Sequence, residues 1–206
     1  MAEFCHLNVH SHFSILQGLC HLKPLIKKCA DLGMKYLALT DNANMFACLD
    51  FFKLCEQNGI KGIIGMTCYV TLDHLEKKQQ DGVRVGRRIV LLAKDYKGYQ
   101  TLCRLSSFAY VDGFYFKPRL DRKLIEENHE GLVILSGGMN SELNDFITAG
   151  NMQKARDTVE FYQNLVGKEN YFIEIQRTGI TELDEANKGL FELGQMMSAD
   201  CVATND

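Results

Sequence analysis

Histidines and polar neighbours at a spacing of two open this chain. His6, Asn8, His10 and His12 alternate along one short segment, and in an extended backbone residues two apart project from one face. Imidazole nitrogens arranged in this way can hold zinc or manganese. A hydrogen-bonded strand end has the same pattern, so from spacing alone both readings stand. Further polar side chains follow short apolar runs: Asp41 and Asn42, Thr67, the Ser136-Gly137-Gly138 turn, Glu174, and Thr204-Asn205-Asp206. In parallel α/β folds the loops at the carboxyl ends of the strands converge on one face, and functional side chains collect there. These residues are therefore candidates for one polar site.

The elements that must position them are legible as a regular alternation. Apolar runs at 36–40, 62–70, 88–93, 131–136, 171–175 and 201–204 read as strands covered on both faces, as in a parallel sheet. Between them lie helical stripes. Leu25, Ile26, Cys29, Ala30 and Leu32 end at Gly33, and Met45, Leu49, Phe52 and Leu54 run up to Gly59. Val159, Phe161, Tyr162 and Leu165 precede Gly167, and Leu190, Leu193 and Met197 precede the last strand. The stretch from His74 to Gly86 is polar and reads as an exposed loop. This pattern predicts one α/β domain over residues 1–206 with a parallel sheet, closed or nearly closed into a barrel.

Composition narrows the function classes. The 206 residues are 46% hydrophobic and 24% charged, with a formal net charge of -3; a DNA-gripping domain would be basic. None of the eight cysteines forms a C-x-x-C pair, so the spacing predicts free thiols in a reducing cytosol rather than a structural zinc site. No apolar run reaches the length of a membrane span, which excludes a membrane partner and predicts a cytoplasmic protein. His21, His74 and His129 read as surface residues, and Phe51-Phe52 and Phe114-Tyr115-Phe116 as core. Asp41 is expected to hydrogen-bond its own loop.

The opening, His6-Leu7-Asn8-Val9-His10-Ser11-His12-Phe13-Ser14-Ile15-Leu16-Gln17-Gly18, resembles that of bacterial DNA polymerase III alpha subunits, H-L-H-V-H-S-x-Y-S-L-L-D-G. The likeness continues in order through Leu37-Ala38-Leu39-Thr40-Asp41-Asn42, Gly59 to Gly65, Leu91 to Lys94, Gly113 to Arg119, Gly131 to Gly137 and Val202 to Asp206. The chain thereby resembles the PHP (polymerase and histidinol phosphatase) domain at the N-terminal part of that longer chain. Several consequences are implied by the resemblance alone. The fold would be a distorted (β/α)7-type barrel whose intact relatives hold up to three metal ions with His, Asp, Glu and Cys. At the corresponding ligand positions this chain has Asn8, Gln17, Asn42, Thr67, Arg88 and Gly138, and only His10 and Asp206 keep a ligand type.

Neutral amides and a hydroxyl repay the dehydration of a divalent ion poorly, and Arg88 places a positive charge near the old metal position. No resident cofactor and no catalytic residue are therefore expected, beyond one weakly held zinc or manganese ion at His10 and Asp206. Arg88 is expected to fill the emptied space by pairing with Asp206 or Glu174. Arg119 has two readings, a phosphate contact or a scaffold pairing with Glu174 or with neighbours of Arg88. The resemblance implies a structural domain that docks the remainder of the polymerase chain and a proofreading exonuclease subunit, meeting DNA only through the full polymerase. The alternative is an active metal-dependent phosphoesterase, a 3′–5′ exonuclease or pyrophosphatase.

Overall fold

The computed structural model describes residues 4–80, 82 and 85–205. Seven strands and seven α-helices follow one another through them. The strands are β1 (Tyr36–Leu39), β2 (Lys61–Thr71), β3 (Arg87–Ala93), β4 (Arg119–Asp121), β5 (Leu132–Leu135), β6 (Tyr171–Gln176) and β7 (Cys201–Thr204). The helices are α1 (Leu22–Asp31), α2 (Cys48–Gln57), α3 (Tyr96–Val111), α4 (Arg122–Glu127), α5 (Glu142–Thr148), α6 (Met152–Val166) and α7 (Thr181–Met197).

All seven strands form one sheet, ordered β1-β2-β3-β5-β6-β7 with β4 beside β2. The sheet is curled into a half-barrel with helices packed on its outer face, the distorted α/β barrel class that the sequence predicts. One part of that expectation needs correction. The sheet is mixed, because β3 runs antiparallel to both β2 and β5, while the β1–β2, β2–β4, β5–β6 and β6–β7 pairs are parallel. The reason lies in the connection. A parallel pair needs a crossover, usually helical, and the described residues between β2 and β3 contain no helix.

Local chemistry sets the helix ends. Asp95, Asp121, Ser141 and Asn151 accept hydrogen bonds from Gly98, Leu124, Asn144 and Lys154 at the first turns of α3, α4, α5 and α6. Gly33 ends α1 in the left-handed region at φ +71°, where glycine has no Cβ penalty. On α2 the buried stripe is Cys48, Phe51 and Cys55, whereas Leu49 and Phe52 face outward. The two stripes are offset by one residue, and apolar residues occupy both.

Strand alternation separates an inner core from two outer ones, of which the smaller packs Leu37 and Leu39 of β1 with Ile26 of α1 and Phe51 of α2. Met66, Leu91, Leu120, Ile134 and Ile173 point outward beneath α3, α6 and α7, and each such side chain, fully buried, contributes roughly 1.5–3 kcal/mol. Ala38, Val90, Leu92 and Leu135 point inward, with Leu7, Ile63, Val133, Phe172 and Val202 against them. Continuing the same alternation, Thr40 and Asn42, Thr67, Arg88, Glu174 and Gln176, and Thr204 share the inward face at the other end of the strands. That end is the mouth of the barrel.

Candidate site in the barrel mouth

The polar residues of the opening segment reach the mouth because this segment is an extra strand-like edge. His6 O and Val9 O accept hydrogen bonds from Ala38 N and Thr40 N, both at 2.9 Å. Asn8 is buried as a result. Its Nδ2 donates to Glu174 Oε1 at 2.9 Å, and its Oδ1 accepts from Thr40 Oγ1 at 3.0 Å.

Glu174, fully buried at 0% exposure, is the hub. Its Oε1 also accepts from Gln176 Nε2 at 3.0 Å and from Thr204 Oγ1 at 2.5 Å, and its Oε2 accepts from Gly137 N at 3.1 Å. Every one of these donors is neutral. These amides and the hydroxyl reach Glu174 from the opening segment, the turn after β5, β6 itself and β7, and the expected Arg88 is not among these donors. Asp206, the other predicted partner of Arg88, lies outside the described residues.

The second buried carboxylate is equally committed. Asp41 Oδ1 accepts from Ser11 N and Ser14 Oγ, each at 2.6 Å, and Oδ2 accepts from Ser11 Oγ at 2.7 Å. It holds the loop after the opening segment against the end of β1, whereas the sequence predicts that it hydrogen-bonds its own loop. Asn42 and Thr67 face each other across a parallel bridge. Among the described residues, the buried amide of Asn42 and the Thr67 hydroxyl make no hydrogen bond.

The remaining predicted positions divide. His10 is half-buried and Arg88 stands in register with Tyr69 at the rim. Gln17 is exposed, on a turn whose Gly18 N bonds Ser14 O. Gly138 is buried, and a Cβ there would come within 2.5 Å of the Gln176 side chain. Gln176 thus occupies the space that any side chain at 138 would need. Sequence reasoning passed over Gln176, although the alternation Phe172, Glu174, Gln176 on β6 was readable.

Arg119 lies elsewhere. It is 1% exposed, and its guanidinium donates to the carbonyls of Gly113, His74, Glu76 and Lys78 at 2.6–3.4 Å, with the Tyr115 ring 4.9 Å away. The expected partner Glu174 is not among them. Burial draws the Arg119 pKa below its ordinary value, against the opposite pull of Tyr115 and Asp73. Arg119 ties the loop after β2 to β4.

That loop carries a feature the sequence reading missed. Asp73, His74 and Asp121 bring ligand atoms within 4.8 Å of one another, and no other group of His, Cys, Asp or Glu does so among the described residues. His74 is not an ordinary surface residue, since its Nδ1 lies 2.5 Å from Asp121 Oδ2. Burial opposes ionisation of Asp121, but hydrogen bonds from His74 and Leu124 outweigh it and hold the carboxyl below its usual value. The aromatic expectation also needs correction. Phe51 is core, but Phe52, Phe114 and Phe116 are exposed, because the helix and turn that carry them present only one residue of each cluster inward.

Comparison with known proteins fits this geometry. Residues 6–178 match the PHP domain family. The chain belongs to the PHP domain family. It is 39% identical over 207 residues to DNA polymerase III subunit alpha of Treponema pallidum, covering 99% of this chain and 18% of that protein. With the same subunit of Deinococcus radiodurans it shares 37% identity over 212 residues, covering 99% of this chain and 16% of that protein. The chain thus spans under a fifth of the length of these curated relatives. Among solved structures, one assigned as a metal-dependent phosphoesterase from Bifidobacterium adolescentis superposes with a TM-score of 0.59 at 10% identity, over 97% of this chain and 86% of that one. An amidohydrolase from Chromobacterium violaceum superposes equally well at 13% identity, over 100% of this chain and 87% of that one. The PHP fold of this chain is therefore shared with a metal-dependent phosphoesterase. No helix among the described residues is long and apolar enough to cross a membrane.

Proposed function

We propose that this PHP domain is part of a cytoplasmic DNA polymerase III alpha polypeptide, and that it serves there as a structural and partner-docking unit without catalysis of its own. Nucleotidyl transfer and contact with DNA belong, on this reading, to the rest of that polypeptide. The proofreading exonuclease subunit is its proposed second partner. The observation that carries the reading is the state of Glu174. Glu174 Oε1 accepts from three neutral protein donors and Oε2 from one, and Asp41 accepts from three more, so both carboxylates are already held by donors of the protein itself. Asn42, Thr67 and Gln17 offer only neutral oxygens, Gly138 offers none, and Arg88 adds positive charge. This donor set does not fit a multi-metal phosphoesterase centre, so no step is assigned to a metal. Asn8, Gln176 and Thr204 instead cross-link the opening segment, β6 and β7 where metal–ligand bonds would otherwise do so.

A second reading, an active metal-dependent phosphoesterase, is favoured by His10 in the mouth and by the separate Asp73–His74–Asp121 group. Metal content after exposure to zinc and manganese, followed by desalting, distinguishes the two. The structural reading expects less than about 0.1 equivalent retained, given the tight binding normal for structural zinc. Near-stoichiometric metal that disappears in His10→Ala would overturn it. Metal lost only in His74→Ala would assign the ion to the outlying group and leave the mouth empty.

A further inference from the structure

At the end of the barrel opposite the mouth, residues of α2 and α3 line a groove of about 780 Å³. Its floor is the inner face of the sheet, with Ile63, Leu92, Leu135 and Phe172. Leu49 and Phe52 of α2 and Tyr96 of α3 form its walls and are 63%, 47% and 73% exposed. Outside the groove, the exposed rings of Phe46, Tyr110 and Phe114 form a second aromatic cluster, with Phe46 5.9 Å from Tyr110 and Tyr110 6.5 Å from Phe114. Charged side chains are confined to Lys61, Lys94 and Asp95 among the lining residues. A contiguous apolar surface of this kind on a soluble domain marks a contact site, and exposed aromatics are the usual anchors of one.

We propose that this groove is filled permanently by an apolar segment of the same polypeptide, outside the 206 residues. The inference rests on the reading of the chain as part of an alpha polypeptide, and it names the surface through which the two parts meet. Two arguments favour a covalently attached occupant. The matched relatives are more than five times longer than their matched region, which is 18% or less of each, so most of such a polypeptide is available and tethered at high effective concentration. The groove also opens directly onto the apolar floor of the barrel. A partner that came and went would repeatedly expose that floor, a liability that obligate apolar interfaces avoid by never opening.

The test compares Leu49→Cys in the intact alpha polypeptide and in the 206-residue chain, with thiol alkylation followed by peptide mass spectrometry. Leu49 is exposed and the change is mild, and the exposed native Cys20 serves as internal standard. In the intact polypeptide, alkylation at position 49 is expected to be at least roughly tenfold slower than in the chain alone, because a covered thiol reacts only while the interface is open. Equal rates would overturn the proposal. Protection that appears only on adding the exonuclease subunit, or that grows with concentration of the 206-residue chain, would also overturn it and assign the groove to that partner or to a second copy. The metal measurement is independent of this one, so the two readings fail separately.

Discussion

The two ends of the barrel are built from the same strands and differ in how far they satisfy themselves. In the mouth, Glu174 and Asp41 are buried with their oxygens committed to donors from the opening segment, the turn after β5, β6 and β7. At the opposite end, the inward positions of those strands are apolar and open into a groove with exposed walls. The carboxylates of the mouth are held by its own hydrogen bonds, while the buried Asn42 amide and Thr67 hydroxyl beside them make none. Apolar surface left to be covered lies at the other end.

Three changes would break or sharpen this contrast. Glu174→Ala leaves the Asn8, Gln176 and Thr204 donors buried without their acceptor, and is expected to lower unfolding free energy by roughly 3–5 kcal/mol. Urea denaturation measures it; a loss below about 1 kcal/mol would mean the mouth is not closed by this network. Asp121→Ala removes both a helix cap and the partner of His74, with an expected cost of about 1–2 kcal/mol. Because the folded Asp121 pKa lies below its ordinary value, its contribution is present above that ordinary value and vanishes as pH falls through the folded one. The variant should therefore differ from the parent at neutral pH and converge with it in acid. Phe52→Ser, in the groove wall, is expected to change the stability of the 206-residue chain by no more than about 0.5 kcal/mol. A larger loss would show that the groove wall already packs within the chain.

Much of the architecture was legible without coordinates. Six of the strand runs and the glycine stops at Gly33, Gly59 and Gly167 fall where the apolar and turn patterns place them, because these signals are local. The candidate site was legible as residue types, in that Asn8, Asp41, Asn42, Thr67, Glu174 and Thr204 follow or flank apolar runs in the one-dimensional string. What escaped was partnership. Asn8 and Glu174 meet across 166 residues of sequence, and nothing near either of them encodes the other. Nothing local to Gln176 announces that its side chain lies against Gly138. For Arg119 the sequence leaves a phosphate contact and a scaffold pairing open, and for His74 it suggests an ordinary surface residue, yet both hold the loop after β2.

By itself, the sequence determined the α/β alternation and the family, since side-chain period and residue identity are properties of the chain alone. Tertiary structure decided the antiparallel direction of β3, the face of α2 that is buried, and the partners of Glu174 and Arg119. Apolar runs report how deeply a strand is covered but not which way it runs. A helix with apolar residues on two adjoining stripes can bury either one, and a buried carboxylate takes whichever donors the closing sheet delivers to it.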